Sequence, residues 1–379
     1  MLQIRIHNLN NNVRYAADIW EYYYSYKQSI CYPNKPPIEI IYEDIECFDA
    51  SNNNVLHVGL DDLKDFDFEY VNKYDLILFD NTVEHLCVGN TAALEIIKNN
   101  INVYFVVGSF VHPEYHLFEK CITMPDDWMS CRNWYTNPKV FLSYGASVNN
   151  KKNNKMIYIG GELRTYRKHI IDLVREIGIP ILQNSNDITL TTDGGNGTHH
   201  DRSFAEECNT DYHFKSESVN KFYERIHFGL PQRKTGEATI SYFILPEYQT
   251  YSCIVYAESC FINDTIFLTE KTFKCIVSKT HFVFFAGRNT YKLLNDYGLR
   301  SILELVPNGL AFDCIENHKE RFKEQIKSLD YLQQHPEIFI SDDAVEILNS
   351  NYEEFFSGNK FMKPTLNKFN TILKTLNND

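Results

Sequence analysis

The run Gly160-Gly161-Glu162-Leu163-Arg164-Thr165-Tyr166-Arg167-Lys168 sets a glycine turn between an apolar stretch and a helical pattern, with three cations at the helix start. Cations there oppose the helix macrodipole, typically by about 0.3–1 kcal/mol each. The placement is accounted for if an anion binds. Gly160 and Gly161 let the backbone approach a phosphate, first-turn amides point at it, and Arg164 and Arg167, three apart, share a helix face. The alternative is a solvated helix whose arginines pair with surface carboxylates. The spacing matches neither a dinucleotide fingerprint nor a Walker loop, so neither NAD binding nor ATP hydrolysis is indicated.

A second constellation runs Glu258-Ser259-Cys260-Phe261-Ile262-Asn263-Asp264-Thr265-Ile266-Phe267-Leu268-Thr269-Glu270-Lys271-Thr272-Phe273-Lys274. Thr269 is expected as the N-cap of a helix, with Glu270 in its first turn and Phe273, Ile276 and Val277 facing inward. On one reading this is a well-capped helix and nothing more. On the other, Glu270 is a carboxylate at a loop-to-helix junction beyond a strand end, placed to accept hydrogen bonds from ribose hydroxyls. Lys271 or Lys274 would then face a diphosphate.

The string Phe267-Leu268-Thr269-Glu270-Lys271-Thr272-Phe273-Lys274, preceded by Glu258 and followed by an apolar strand and Gly287, resembles the signature of a phage and large-virus family of GT-B glycosyltransferases. More distantly it is similar to the donor-binding motif of α-1,3-fucosyltransferases. That family also has a strand, a small turn and two arginines spaced as Arg164 and Arg167 at the start of its second domain. The resemblance covers residues 155 to about 300. It departs at Cys275, where a proline is usual, and at Ser278-Lys279-Thr280-His281-Phe282, where Gly-x-Pro-Phe is usual. The resemblance implies two Rossmann-like domains facing a cleft, the acceptor domain first and the nucleotide-sugar domain second, with a C-terminal helix crossing back onto the first. It implies donor contacts from Gly160, Gly161, Arg164, Arg167, Glu258, Thr269, Glu270, Lys271 and Lys274.

Such chemistry displaces a nucleoside diphosphate from an anomeric carbon through an oxocarbenium-like transition state. The departing diphosphate needs cations, and inversion needs a base on the acceptor hydroxyl. Without a metal, arginines, lysines and helix amides supply the cations, and the nucleotide-sugar is a co-substrate, with no further cofactor expected. For the base, Asp80 stands at the end of the apolar run Leu76 to Phe79, where α/β proteins bind ligands. It could equally cap the next helix. Glu84 and His85 are weaker candidates, and the loop Gly108 to His112 follows another strand. Asp65-Phe66-Asp67 has the form of a metal-binding D-x-D, but it lies in an acidic run that reads as a solvated face. His199-His200-Asp201 lacks distant ligands, so no metal site is expected.

The elements that must hold these residues follow from periodicity. Leu2 to His7, Ile38 to Tyr42, Leu76 to Phe79 and Val103 to Val107 read as strands, and Asn90 to Lys98 as a helix. Strands alternating with helices imply an α/β fold with covered parallel sheets. The polar stretch Ser147 to Lys155 reads as a linker, giving domains at 1–150 and 151–345 and a helical segment at 346–379. In the second half, Met156 to Ile159, Ser252 to Tyr256 and His281 to Ala286 read as strands. Glu270 to Ser278 and Thr290 to Tyr297 read as helices, as does a segment closed by Gly178. Thr191 to His200 is a glycine-bearing polar loop, and Met362, Leu366, Phe369, Leu373 and Leu376 form an apolar stripe in the tail.

A chain of 379 residues with 44% hydrophobic content buries sizeable cores and is too long for one. Its 14% aromatic share, alongside many Asn and Lys, reads as codon drift and not as a site. The net charge of -13 repels phosphate backbones on average, which disfavours nonspecific nucleic-acid binding. A cluster of Lys151, Lys152, Lys155, Arg164, Arg167 and Lys168 is the local exception. The resemblance implies as acceptor a glycan or, as in phage GT-B enzymes, a hydroxymethylated base in DNA; the acidic balance leans slightly to the glycan, and the basic cluster is the local patch that DNA would need. The competing reading is a nucleotide- or sugar-binding sensor or virion component of the same fold, without catalysis. Ten scattered cysteines with no C-x-x-C pair, and no apolar run long enough to span a membrane, suggest a reduced, cytoplasmic protein of unspecified oligomeric state.

Overall fold

The computed structural model describes residues 3–8, 39–43, 53–59, 66–81, 91–108, 110–111, 118–123, 152–160, 165–183, 246–258, 265–360 and 362–375. The chain divides into two compact units, Met1–Met129 with Ser357–Asp379, and Ser130–Phe356. The expected boundary near residue 150 lies outside the described residues, as does the loop Thr191 to His200.

The first unit is a parallel sheet of six strands, β1 (Gln3–Asn8), β2 (Glu39–Glu43), β3 (Asn53–Gly59), β4 (Leu76–Asn81), β5 (Val103–Val107) and β6 (Cys121–Thr123), in the order β2-β1-β3-β4-β5-β6. Leu76, Ile77, Leu78 and Phe79 are consecutive and all buried, so both faces of β4 are covered. One face packs Phe79 on Phe66 and Phe105 at ring separations of 5.2 and 6.3 Å. Ile96 and Ile97 of helix α2 (Thr91–Asn99) belong to the same core, with Tyr74 just after the single-turn helix α1 (Tyr70–Lys73). Strand β3 has no counterpart in the sequence reading, because Asn54 and His57 interrupt its apolar run. Both are buried, and His7 Nε2 lies 3.1 Å from Asn54 Oδ1 while Asn54 N donates to Asp75 Oδ2 at 2.8 Å.

The second unit carries a four-stranded parallel sheet, β7 (Met156–Gly160), β8 (Ile181–Gln183), β9 (Cys253–Ala257) and β10 (His281–Phe285), in the order β10-β9-β7-β8. Between β7 and β8 runs α3 (Thr165–Glu176). It stops at Gly178, whose φ of 76° is the left-handed value that favours glycine, and whose amide donates to Arg175 O at 2.9 Å. The single turn α4 (Pro246–Thr250) precedes β9, and α5 (Glu270–Val277) links β9 to β10. The helix α6 (Thr290–Asp296) follows β10.

Downstream lie α7 (His318–Gln334) and α8 (Asp342–Ser357), and then α9 (Lys363–Thr375), which groups with the first unit. The tail thus holds two helices, broken where Gly358 takes a φ of 60°. In the first unit, Lys368 of α9 meets the turn Phe118–Lys120 that leads into β6, donating to Phe118 O at 2.5 Å and lying 4.5 Å from the Phe118 ring centroid. No helix among the described residues is long and apolar enough to cross a membrane.

Candidate functional site

Parallel strands joined by helices place every strand's carboxyl end, and every following helix's amino end, at one edge of the sheet. In the second unit that edge collects Gly160 at the end of β7, Glu258 directly after β9, Ala286-Gly287-Arg288 after β10, and the amino ends of α3 and α5. The geometry is densest around Glu258. This residue is 1% exposed, and its amide donates to Phe285 O at 3.0 Å, locking the strand ends together. Glu258 Oε1 accepts from Thr269 N at 3.3 Å and from Thr272 Oγ1 at 3.2 Å, and Oε2 accepts from Thr269 Oγ1 at 3.0 Å. Tyr256 OH lies 2.5 Å from Thr272 Oγ1, extending the network into β9. Burial pushes the Glu258 carboxyl up to about 7, against the pull of Lys271 and the bonds from Thr269.

Thr269 occupies the expected N-cap position, but its side chain makes no cap hydrogen bond to α5. The hydroxyl is spent on Glu258 instead, so the helix start is fastened to the sheet and not to itself. Glu270 and Lys271 follow at the helix start with side chains 21% and 16% exposed, and Lys271 Nζ lies 3.2 Å from Glu270 Oε1. Burial alone would raise the Glu270 carboxyl; the charges of Lys271 and Lys274 outweigh it and hold the group below its usual range. Lys274 is buried at 7% exposure, beside Glu270 in effect and not on the solvent face. Phe273, Ile276 and Val277 are buried as expected.

Around Gly160 the structure is partly described. Gly160 closes β7, and Arg167 lies in the first turn of α3, 4% exposed. Gly161 and Arg164 lie outside the described residues. Asp80 is a residue of β4 itself, paired in register with Gly59 and Val106, one position from the strand's carboxyl end. Glu84 and His85 lie outside the described residues, as do Asp65, His199 and His200. Asp67 is exposed and accepts from Glu69 N at 2.9 Å, as a turn residue does. Phe110 and Val111, expected in a loop after β5, form a short buried strand instead. Among the described residues no group of three His, Cys, Asp or Glu side chains converges on a common point.

The sequence reading passed over Arg288, a cation on the loop after β10 at the same edge. That loop is fixed from several sides. Arg321, 1% exposed on α7, donates to Ala286 O from Nε at 3.1 Å and from Nη2 at 2.8 Å. Asn289 takes a left-handed φ of 59° and donates its amide to Asp313 O at 2.8 Å. Asp313 accepts from Tyr291 N at 3.1 Å and Lys292 N at 2.9 Å, and Thr290 Oγ1 donates to Gly287 O at 2.8 Å. The signal that could have found Arg288 is a basic residue one step beyond the glycine that ends an apolar strand.

No protein-family model matches the chain, and no curated protein does. Among solved structures it is similar to a crystal structure of an α1,3-fucosyltransferase, with 12% identity and a TM-score of 0.47 over 100% of this chain and 91% of that one. It is also similar to a crystal structure of α1,3-fucosyltransferase with GDP-fucose, with 12% identity, a TM-score of 0.41 and the same coverage. The functional reading therefore rests on the chain's own residues.

Proposed function

We propose that this chain is a glycosyltransferase that moves a sugar from a nucleotide-sugar donor to an acceptor hydroxyl. The observation that carries the reading is the placement of Glu270 and Lys271 at the start of α5, at the carboxyl edge of a parallel sheet, with the helix start fastened by Glu258. A carboxylate and an ammonium side by side suit the two ends of a nucleoside diphosphate, ribose hydroxyls and phosphate oxygens. In this reading Glu270 accepts from the ribose and Lys271 meets the diphosphate. Arg164, Arg167 and the backbone at Gly160 and Gly161 add positive potential as the leaving group departs. Held ionised by its lysine neighbours, Glu270 acts as an acceptor throughout the neutral range.

In the first unit Asp80 is the base that takes the acceptor proton, with Glu84 as the second choice. The acceptor is a glycan or a hydroxymethylated base in DNA, and the chain's own cations, with no metal, neutralise the diphosphate. Incubation with radiolabelled UDP, GDP and CMP sugars, with and without chelator, tests the reading by transfer to an acceptor or to water. Turnover that survives chelation supports it, and no turnover of any donor contradicts it. Asp80→Asn is expected to leave donor binding intact and lower transfer by about 10²- to 10⁴-fold, the range for loss of a general base. Retention on a hydroxymethylated duplex that weakens steeply with salt marks DNA as the acceptor; no retention at low salt points to a glycan.

A further inference from the structure

We infer that Glu258 is a positioning residue of the donor site, one that sets where Lys271 stands without touching the donor itself. This rests on the reading of Lys271 as a diphosphate contact. Both carboxylate oxygens of Glu258 are occupied, Oε1 by Thr269 N and Thr272 Oγ1 and Oε2 by Thr269 Oγ1. At 1% exposure the side chain has almost no surface to offer a ligand. What it holds is the first turn of α5, and the residues it holds flank the pair Glu270-Lys271 on both sides, at positions 269 and 272. Thr269 forgoes capping its own helix to make this contact, so the local sequence favours the tether over the ordinary cap. Tyr256 OH, bonded to Thr272 Oγ1, ties the same turn to β9 from a second point.

Charge and position make opposite predictions for this residue, which makes the inference testable. In its ionised form Glu258 contributes negative potential at Lys271, so removing it above pH 7 would strengthen binding of an anion if charge were its only role. If its role is to hold the helix start, removing it weakens binding, because Lys271 loses its place. The conservative variant separates these further. In Glu258→Gln the amide oxygen can stand at Oε1 and accept from Thr269 N, which cannot reverse its role, while the new NH2 faces the Thr269 hydroxyl, which can turn to accept.

The test is a binding cycle with GDP, UDP and CDP on the full chain, using Glu258→Ala, Glu258→Gln, Lys271→Ala and the double variant Glu258→Ala/Lys271→Ala. Glu258→Ala is expected to weaken diphosphate binding about tenfold or more, as loss of a supporting residue does. Glu258→Gln is expected to stay within a few-fold of wild type. The double variant is expected to lose clearly less than the two single losses combined, since Glu258 acts largely through Lys271, the remainder coming from the Glu270 ribose contact on the same turn. Additive losses, or wild-type or tighter binding by Glu258→Ala, overturn the inference. If Glu258→Ala does not fold, Thr269→Val, which removes one hydroxyl partner and keeps the side chain's shape, takes its place in the cycle. It is then expected to weaken binding severalfold, and by clearly less when Lys271 is absent. A wild-type chain that binds none of the diphosphates overturns the proposed function as well. Wild-type binding that Lys271→Ala weakens and Glu258→Ala does not leaves that function standing and removes only Glu258.

Discussion

The Thr269 hydroxyl donates to Glu258 Oε2 at 3.0 Å across the gap between the end of β9 and the start of α5. The bond joins a helix that carries the candidate donor contacts to the strand end beneath it. Burial outweighs this bond and disfavours the charged form of the carboxylate, which has a measurable consequence for stability.

Glu258 titrates at about 7 in the folded chain against an ordinary value of 4.5. Between those values the folded state holds a proton that the unfolded state has released, so this residue's contribution to stability falls as pH rises through the window. The span corresponds to about 3 kcal/mol, at about 1.4 kcal/mol per pH unit. Glu258→Gln has no such proton to lose. Its stability relative to wild type is expected to rise by up to about 3 kcal/mol between pH 4 and pH 8, read from denaturant melts. A difference that stays flat with pH would contradict the burial assigned to Glu258.

His281 gives the opposite slope. It is 2% exposed, its ring tilted against Phe339 at 6.1 Å, and burial with the nearby Lys152 charge lowers it to about 3. An unfolded histidine takes up a proton near 6.5 that the folded one refuses, so stability is full above that pH and is lost as pH falls toward 3. His281→Phe is expected to retain more of its neutral-pH stability at pH 4 than wild type does, in parallel thermal melts at the two values. Equal acid sensitivity would count against a neutral buried ring.

Arg321 is expected to be the most sensitive position of the second unit outside its apolar core. Its guanidinium donates to Ala286 O, Ile315 O and Glu316 O and contacts His318 Nδ1. Replacement by Met leaves those carbonyls without donors and costs about 3–5 kcal/mol, in the range for breaking a buried charged network. Denaturant unfolding measures the loss, and nucleoside diphosphate affinity reads whether the loop bearing Arg288 moves with it. A change under 1 kcal/mol would show that the loop does not depend on Arg321.

What the sequence made legible follows from how pure each signal was. Val103 to Val107 and Met156 to Ile159 are unbroken apolar runs, and both are strands with the expected limits to within a residue. The helix α7 was not read at all. Its buried face includes Arg321, Gln325 and Ser328 among Phe322, Leu329 and Leu332, so its inward stripe is half polar and the 3.6-residue period is diluted. Those polar residues face inward because they satisfy carbonyls at Ala286, Phe284 and Gly309, a need visible only once the loops are placed. The same holds at the site. Glu270 and Lys271 stood out by their position at a helix start, whereas the tether from Thr269 to Glu258 spans 11 residues, and no local pattern marks it.

Lys271 carries the central claim, and the most direct measurement is the thermal shift of wild type and Lys271→Ala with UDP, GDP and CMP sugars. At 100 times its dissociation constant a donor adds about 2.7 kcal/mol to the folded state. The account predicts a clear upward shift for wild type with one donor class, largely lost in Lys271→Ala at the same concentration. No shift of the wild type with any donor, or an equal shift in both proteins, would contradict it.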